Sequence, residues 1–262
     1  MTYQEAMAAA RGHMGHCRAC PICNGLACKN TMPGPGAKGT GTVAIRNYEK
    51  WQNVRVNLDT ICAGGTPDTA CTLFGRAFRY PFFAGPVGAV NLHYGDQYDD
   101  VAYNDILVSA CAEGGVAAFT GDGVNPEVMR AATRAIAAAG GAGVPTVKPW
   151  DIDTLREKMD LALNCGAFAL AMDIDAAGLP FLKGLNPPAG SKTVEELAKI
   201  VRTAGLPFIV KGIMTAKGAE KALAAGAAAI IVSNHGGRVL DQTPATAEVL
   251  EEIVRAVGGR MK

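Results

Sequence analysis

From about residue 80 onward, short apolar runs alternate with longer stretches whose apolar positions recur every three or four residues. The runs are Pro81–Gly85, Gly115–Thr120, Val144–Lys148, Ala167–Asp173, Pro207–Lys211 and Ala228–Ser233. The stretches between them predict helices near Tyr98–Glu113, Pro126–Ala139, Asp153–Asn164, Thr193–Thr203 and Thr215–Ala225, with a last one at Thr246–Val257. Asp151, Asp153 and Thr193 are residues that cap helix starts, and Glu195 and Glu196 suit a first turn. Gly114, Gly166, Gly205 and Gly226 fall just past helix ends, where a left-handed residue is wanted. Strands apolar on both faces and joined by helices mean a parallel sheet. Six such units suit either a doubly wound sheet or a (β/α)8 barrel. No G-x-G-x-x-G follows the first run, which weighs against the dinucleotide-binding version.

The N-terminal part reads differently. Residues 1–45 predict an appendage: a short helix at Gln4–Arg11, a cysteine-rich segment and the Pro/Gly loop MPGPGAKGTGT. A second short helix is expected within 47–60, followed by the extended, alternating run VRVNLD. Residues 46–262 are expected to form the barrel.

Composition narrows the class. The chain of 262 residues is 49% hydrophobic and only 6% aromatic, with 32 glycines, which suits tight α/β layers better than an all-β sandwich. Its 25 basic and 24 acidic residues leave a net charge of +1, without the basic excess of a nucleic-acid or anionic-membrane binder. The longest apolar run, Ala222 to Val232, is broken by Gly226 and is too short to span a bilayer. No secretory pattern opens the chain, so a cytoplasmic protein is expected.

Without export, disulfides are not expected from the eight cysteines. Cys17, Cys20, Cys23 and Cys28 follow a C-x2-C-x2-C-x4-C spacing that lets several thiolates converge on one centre. An iron–sulfur cluster or zinc is the chemistry such a set would take, with His13 and His16 as substitute ligands. The alternative is four reduced thiols in a loop.

Polar residues gather where the apolar runs end: Thr120, Lys148, Asp173, Lys211, Ser233, Asn234 and His235. In a barrel that end carries the chemistry. The segment IIVSNHGGRVLD, Ile230 to Asp241, is the most informative. Gly236 and Gly237 let backbone approach a ligand closely, and Arg238 presents a fork suited to a carboxylate. Each residue also has a plain structural role available. Lys211 could snorkel, Asp173 could cap a helix, and Asp175 could sit on a solvated turn.

This segment resembles the FMN-dependent α-hydroxy-acid oxidase/dehydrogenase family, whose signature is S-N-H-G-[GA]-R-x-L-D. LFGRAFRYPFFAGPVGAV and PFIVKGIMT are similar to its first and fifth strand regions, so the likeness spans about residues 45–262. The resemblance implies an FMN-type (β/α)8 barrel that oxidises a lactate- or glycolate-like 2-hydroxy acid. His235 would be the base and a flavin neighbour, Arg238 the carboxylate anchor, and Asp173 the carboxylate that orients the histidine. Lys211 would face flavin N1 and O2. Pro86, Val87 and Gly88 would lie along the flavin, and Thr120 and Ser233 would contact it through hydroxyls. A homo-oligomer and an undefined electron acceptor are also implied.

Several positions depart from the family. Lys148 and Trp150 stand where Gln and Tyr are usual, which implies a second cation near the flavin. Ala171 replaces a Thr, Pro180 takes the place of an Arg with Lys183 the nearest cation, and Met32 lies where a Tyr is usual. The family's two last strands, which hold the flavin phosphate, are absent, so the chain reads as a barrel truncated after its sixth unit. A flavin-dependent reductase or isomerase, or a flavin-free fragment with a metal-binding cysteine segment, are the alternative functions.

Overall fold

The computed structural model describes residues 1–29, 39–179, 182, 184–186 and 188–262. Met32, Pro180 and Lys183, and most of the MPGPGAKGTGT loop, lie outside these.

Five parallel strands form the main sheet: β3 (Ala118–Thr120), β4 (Gly143–Val147), β5 (Leu170–Asp173), β6 (Phe208–Ile213) and β7 (Ala229–Val232). Their spatial order is their chain order. A doubly wound sheet reverses direction at a switch point. A monotonic order keeps the crossover helices on one side and curls the sheet toward a barrel. The expected first strand, Pro81–Gly85, is reduced to one parallel bridge between Ala84 and Ala118. Prolines at 81 and 86 bracket that run and cannot donate to a ladder, which limits pairing to the residues between them.

Apart from Ala118, which packs with Val108 and Ile136 in a third cluster, the strands divide their side chains between two cores. Phe119, Val144, Ala169, Ala171, Ile209 and Ala229 face the barrel interior with Phe74, Phe83 and Phe168. Leu170, Met172, Phe208 and Val210 point the other way, into the layer under the helices.

Those helices are α4 (Asp100–Glu113), α5 (Pro126–Ala138), α6 (Ile152–Asn164), α7 (Val194–Thr203), α8 (Ala216–Ala224) and α9 (Thr246–Val257). Their starts are chemically specified. Asn125 caps α5 with Pro126 in the first turn, and Thr193 and Glu196 close a reciprocal capping box on α7. Asp151, rather than Asp153, caps α6. Gly166, Gly205 and Gly226 take positive φ as expected, but Gly114 stays right-handed at φ −71° and Gly115 makes the left-handed turn at φ 76°. An added Cβ on Gly115 would lie 2.8 Å from Arg79 Cβ.

Three N-terminal features differ from expectation or add to it. A two-residue hairpin joins β1 (Cys71–Leu73) to β2 (Arg76–Phe78) through Phe74 and Gly75, both at positive φ. The run VRVNLD pairs with no strand among the described residues, and Val56 and Leu58 are more than 90% exposed. The short helices are α1 (Tyr3–Ala10) and α2 (Thr42–Trp51), followed by α3 (Val90–Tyr94). Helix α2 crosses the expected boundary at residue 45. It is tied to the far end of the chain: Arg46 pairs with Glu248, and Asn47 exchanges hydrogen bonds with Asn234.

Candidate active site

The strand exits open on a cavity of about 480 Å3. Lys148 just past β4, Asp173 at the end of β5, Lys211 in β6, and Ser233, His235 and Arg238 after β7 all line it. Pro86, Val87 and Gly88 form another part of its wall. That wall is seated on bare backbone: a Cβ on Gly121 would lie 2.1 Å from the Val87 carbonyl oxygen. Thr120, the residue before Gly121, is buried, and its hydroxyl has no partner among the described residues.

The turn carrying the histidine is locally strained. His235, Gly236 and Gly237 have φ of 56°, 67° and 80°. A non-glycine residue in that region costs about 1–2 kcal/mol. Ser233 Oγ accepts the His235 amide at 3.1 Å, so this hydroxyl braces the turn. A Cβ on Gly237 would lie 2.7 Å from Val43 Cβ, because α2 packs directly on the loop.

The charges pair differently from expectation. Asp173 Oδ2 is 2.7 Å from Lys148 Nζ, and Oδ1 is 2.6 Å from Lys211 Nζ. Burial alone would push the Asp173 carboxyl up. The charges of Lys148, Lys211 and, less, His235 outweigh it and hold the group well below the usual carboxylate range. Asp173, expected to orient His235, is paired here with the two lysines and keeps an oxygen within 4.8 Å of a His235 ring nitrogen. The carboxylate hydrogen-bonded to His235 is Asp175, with Oδ1 3.0 Å from Nδ1. Beyond Asp173 the chain turns into a 3-10 helix at Ile174–Gly178, which swings Asp175 out of strand alternation.

Two groups escaped the sequence reading. Asp122 follows β3 and is buried; it accepts Lys148 N at 3.0 Å, Trp150 Nε1 at 2.6 Å, Lys158 Nζ at 2.7 Å and its neighbour Gly123 N at 2.9 Å. Trp150 is thus turned into the protein. The clue was the same as for the others, a polar residue at a strand exit. His93, also on the cavity wall, is held down at about 4 by burial, with Arg238 and His16 adding to the effect. Burial lowers the Arg238 guanidinium too, against the opposing influence of Tyr94.

The cysteine expectation is not met at bonding distance. Among the described residues, the group of three or more His, Cys, Asp or Glu ligand atoms within 4.8 Å is Asp173, Asp175 and His235. The four thiols are still electrical neighbours. The Cys28 thiol is raised first by burial and then by Cys23, Cys17 and Cys20.

Cations, a histidine–carboxylate pair and a backbone-lined wall at the strand exits define a β/α-barrel site. Comparison with known proteins narrows the class. The profile of the FMN-dependent dehydrogenase family matches residues 34–181 and 186–262. An L-lactate oxidase of Lactobacillus jensenii is 53% identical over 66 residues, 25% of this chain and 16% of the relative. A peroxisomal (S)-2-hydroxyacid oxidase of Arabidopsis thaliana is 54% identical over 70 residues, 27% of this chain and 18% of the relative. These matched stretches span less than a fifth of those relatives. A lactate oxidase structure from Pediococcus acidilactici superposes with a TM-score of 0.70 at 23% identity, covering 89% of this chain and 70% of that one. A mandelate oxidase superposes at 0.67 with 24% identity, covering 87% and 70%. At these identities the likeness speaks for the fold. The chain belongs to the FMN-dependent dehydrogenase family.

The residues present fit flavin mononucleotide. A backbone wall at Pro86–Gly88 and the ammonium of Lys211 suit a planar ring that becomes anionic on reduction. No helix among the described residues is long and apolar enough to cross a membrane.

Proposed function

We propose that the protein is an FMN-dependent oxidoreductase acting on an α-hydroxy acid of the lactate or glycolate type. The observation that carries this reading is that His235, Arg238, Lys211 and the Pro86–Gly88 loop all line the same cavity. Arg238 binds the substrate carboxylate, since a guanidinium fork matches its two oxygens. His235 takes the hydroxyl proton as the 2-hydroxy acid becomes a 2-oxo acid. When bound, FMN supplies the acceptor for the electron pair that leaves with the α-hydrogen. Lys211, with Lys148 beside it, supplies positive charge where negative charge develops, while Asp173 keeps both ammonium groups at the strand exits. Thr120, Ser233 and the Pro86–Gly88 backbone shape the ring's seat.

The test is an anaerobic visible spectrum of the FMN-loaded chain, followed by a panel of 2-hydroxy acids. Bleaching of the flavin bands, lost in H235N and weakened in R238K, is the expected result. A full flavin load that no 2-hydroxy acid bleaches overturns the reading. It would favour a flavin-dependent reductase or isomerase, in line with Trp150 facing Asp122 where the family has a tyrosine. An iron–sulfur or zinc centre on Cys17, Cys20, Cys23 and Cys28 is proposed separately, on the C-x2-C-x2-C-x4-C spacing of the segment alone. Metal analysis of the chain against its Cys-to-Ser variants tests it, and equal metal content would refute it. Homo-oligomer formation and a cytoplasmic location belong to the same proposal and are tested by light scattering and cell fractionation.

A further inference from the structure

A second cavity, of about 740 Å3, adjoins the one at the strand exits. Ala9 and His13 line it from the end of α1 and the turn beyond, Tyr98 from the chain after α3, and Tyr103 and Ile106 from α4. Val87 and Tyr94 line both cavities, so these two residues mark the boundary between them. Val87 belongs to the Pro86–Gly88 loop assigned above to the flavin's seat. The α1 side of the chamber is fixed by close backbone contact. A Cβ on Gly95 would lie 2.6 Å from the His13 carbonyl oxygen, and one on Gly15 would lie 2.6 Å from Gly95 N. Main chain thus packs on main chain where the end of α1 meets the end of α3.

The lining selects the kind of occupant. Its volume falls in the range of small-molecule pockets, roughly 300–1,000 Å3. No Lys, Arg, Asp or Glu is among the lining residues. A ligand carrying phosphates finds no counter-charge there, which sets aside a nicotinamide dinucleotide. Tyr98 and Ile106 are 46% and 53% exposed, an open aromatic and aliphatic surface that a flat apolar molecule would cover. Among the described residues no hydrogen bond ties up the hydroxyls of Tyr94, Tyr98 or Tyr103. Burial, before any other influence, raises the Tyr94 and Tyr103 phenols, so both stay O–H donors. The chamber therefore suits an uncharged planar molecule with oxygen acceptors. The substrate's own side chain fits less well, because its reacting end belongs at His235 and Arg238, beyond the boundary at Val87 and Tyr94.

We propose that the chamber between α1, α3 and α4 is the electron-acceptor site of this protein and that it takes a quinone. The proposal rests on the reading of the strand-exit cavity as a flavin-dependent oxidation site. Conversion of a 2-hydroxy acid to a 2-oxo acid releases two electrons and two protons. A quinone takes up two electrons and two protons and leaves as the quinol, so the two half-reactions balance without a further reactant. The electrons cross at Val87, while the two substrates keep to separate cavities and need not displace each other. Tyr98 and Tyr103 are the donors for the quinone oxygens, and Ala9 and Ile106 pack on its ring.

Duroquinone is the probe, since its ring is fully substituted and does not add to the chain's eight cysteines. Equilibrium dialysis of the full chain without flavin should show saturable binding at a single site. I106W and A9W fill the chamber from two different helices, at exposed positions where the fold tolerates change. Each should weaken binding about 10-fold or more through lost ring packing, with unchanged circular dichroism melts. The FMN-loaded chain is then reduced by light without oxygen and mixed with duroquinone. Reoxidation should saturate with quinone and slow about 10-fold in I106W, while reoxidation by hexacyanoferrate(III) stays the same. Absent saturable binding, equal affinity in both variants, or a reoxidation rate that rises linearly with quinone and ignores I106W overturns the proposal. Dialysis needs no flavin and photoreduction needs no hydroxy acid. Quinone results as expected with no 2-hydroxy acid oxidised would sink the functional reading alone. Oxidation of a hydroxy acid with no quinone bound would sink the acceptor site alone.

Discussion

Replacing Lys158 with methionine removes one half of a buried ion pair while nearly preserving side-chain volume. Lys158 projects from the covered face of α6, and its Nζ lies 2.7 Å from Asp122 Oδ1. The side chains are 9% and 0% exposed, so bulk water cannot re-solvate the carboxylate once the ammonium is gone. What remains for Asp122 is the Lys148 amide, the Trp150 indole N–H and its neighbour's amide, all dipoles without net charge. Breaking a buried pair by deleting one partner costs about 3–5 kcal/mol. In a domain of this size each kcal/mol moves the midpoint by about 2–4 °C, so K158M should melt about 6–20 °C below wild type. Thermal unfolding followed by circular dichroism measures this at pH 7. A melting temperature within about 2 °C of wild type would refute the argument, since methionine's added apolar burial can return only ~1–2 kcal/mol. K158M should also loosen Lys148, whose backbone amide is anchored on the same carboxylate.

Two further outcomes rest on His93 and on the His235 turn. The folded pKa of His93 lies at about 4, below its ordinary 6.5, so the unfolded chain takes up a proton first as pH falls. Stability contributed by the neutral buried ring is present above pH 6.5 and is lost on going down toward pH 4. Urea midpoints at pH 7, 5.5 and 4.5 should fall more steeply for wild type than for H93Q, and parallel slopes would show the ring is not the cause. Gly237→Ala places a Cβ 2.7 Å from Val43 Cβ at a φ of 80°. It should cost about 1–3 kcal/mol in urea unfolding; an unchanged midpoint would show that α2 does not bear on the His235 turn.

Much of the scaffold was legible because its signals are local. The helix predicted at Thr246–Val257 is α9 to the residue, and Thr193 caps α7 as its side chain and the glutamate three residues on require. Five of the six apolar runs became strands in the expected order. The hairpin at Cys71–Phe78 was missed because its turn is Phe74–Gly75, without the Asn or Asp that usually marks such a loop. VRVNLD shows the opposite failure: alternation is written in the sequence, and no strand among the described residues takes it up.

The sequence by itself determined that polar groups would collect at strand exits. Strand length and helix caps depend only on residues a few positions apart, and the chain carries those side by side. Which of these groups would pair was decided by the tertiary structure. Asp173 and Asp175 are two residues apart and chemically identical, yet one meets two lysines and the other the histidine. That division depends on β4, β5 and β6 standing in register, on the 3-10 turn that redirects Asp175, and on the gap left by Gly212. Asp122 and Lys158, 36 positions apart, meet only because α6 packs over β4. Charge pairing falls off with distance through space, and only the folded chain sets that distance.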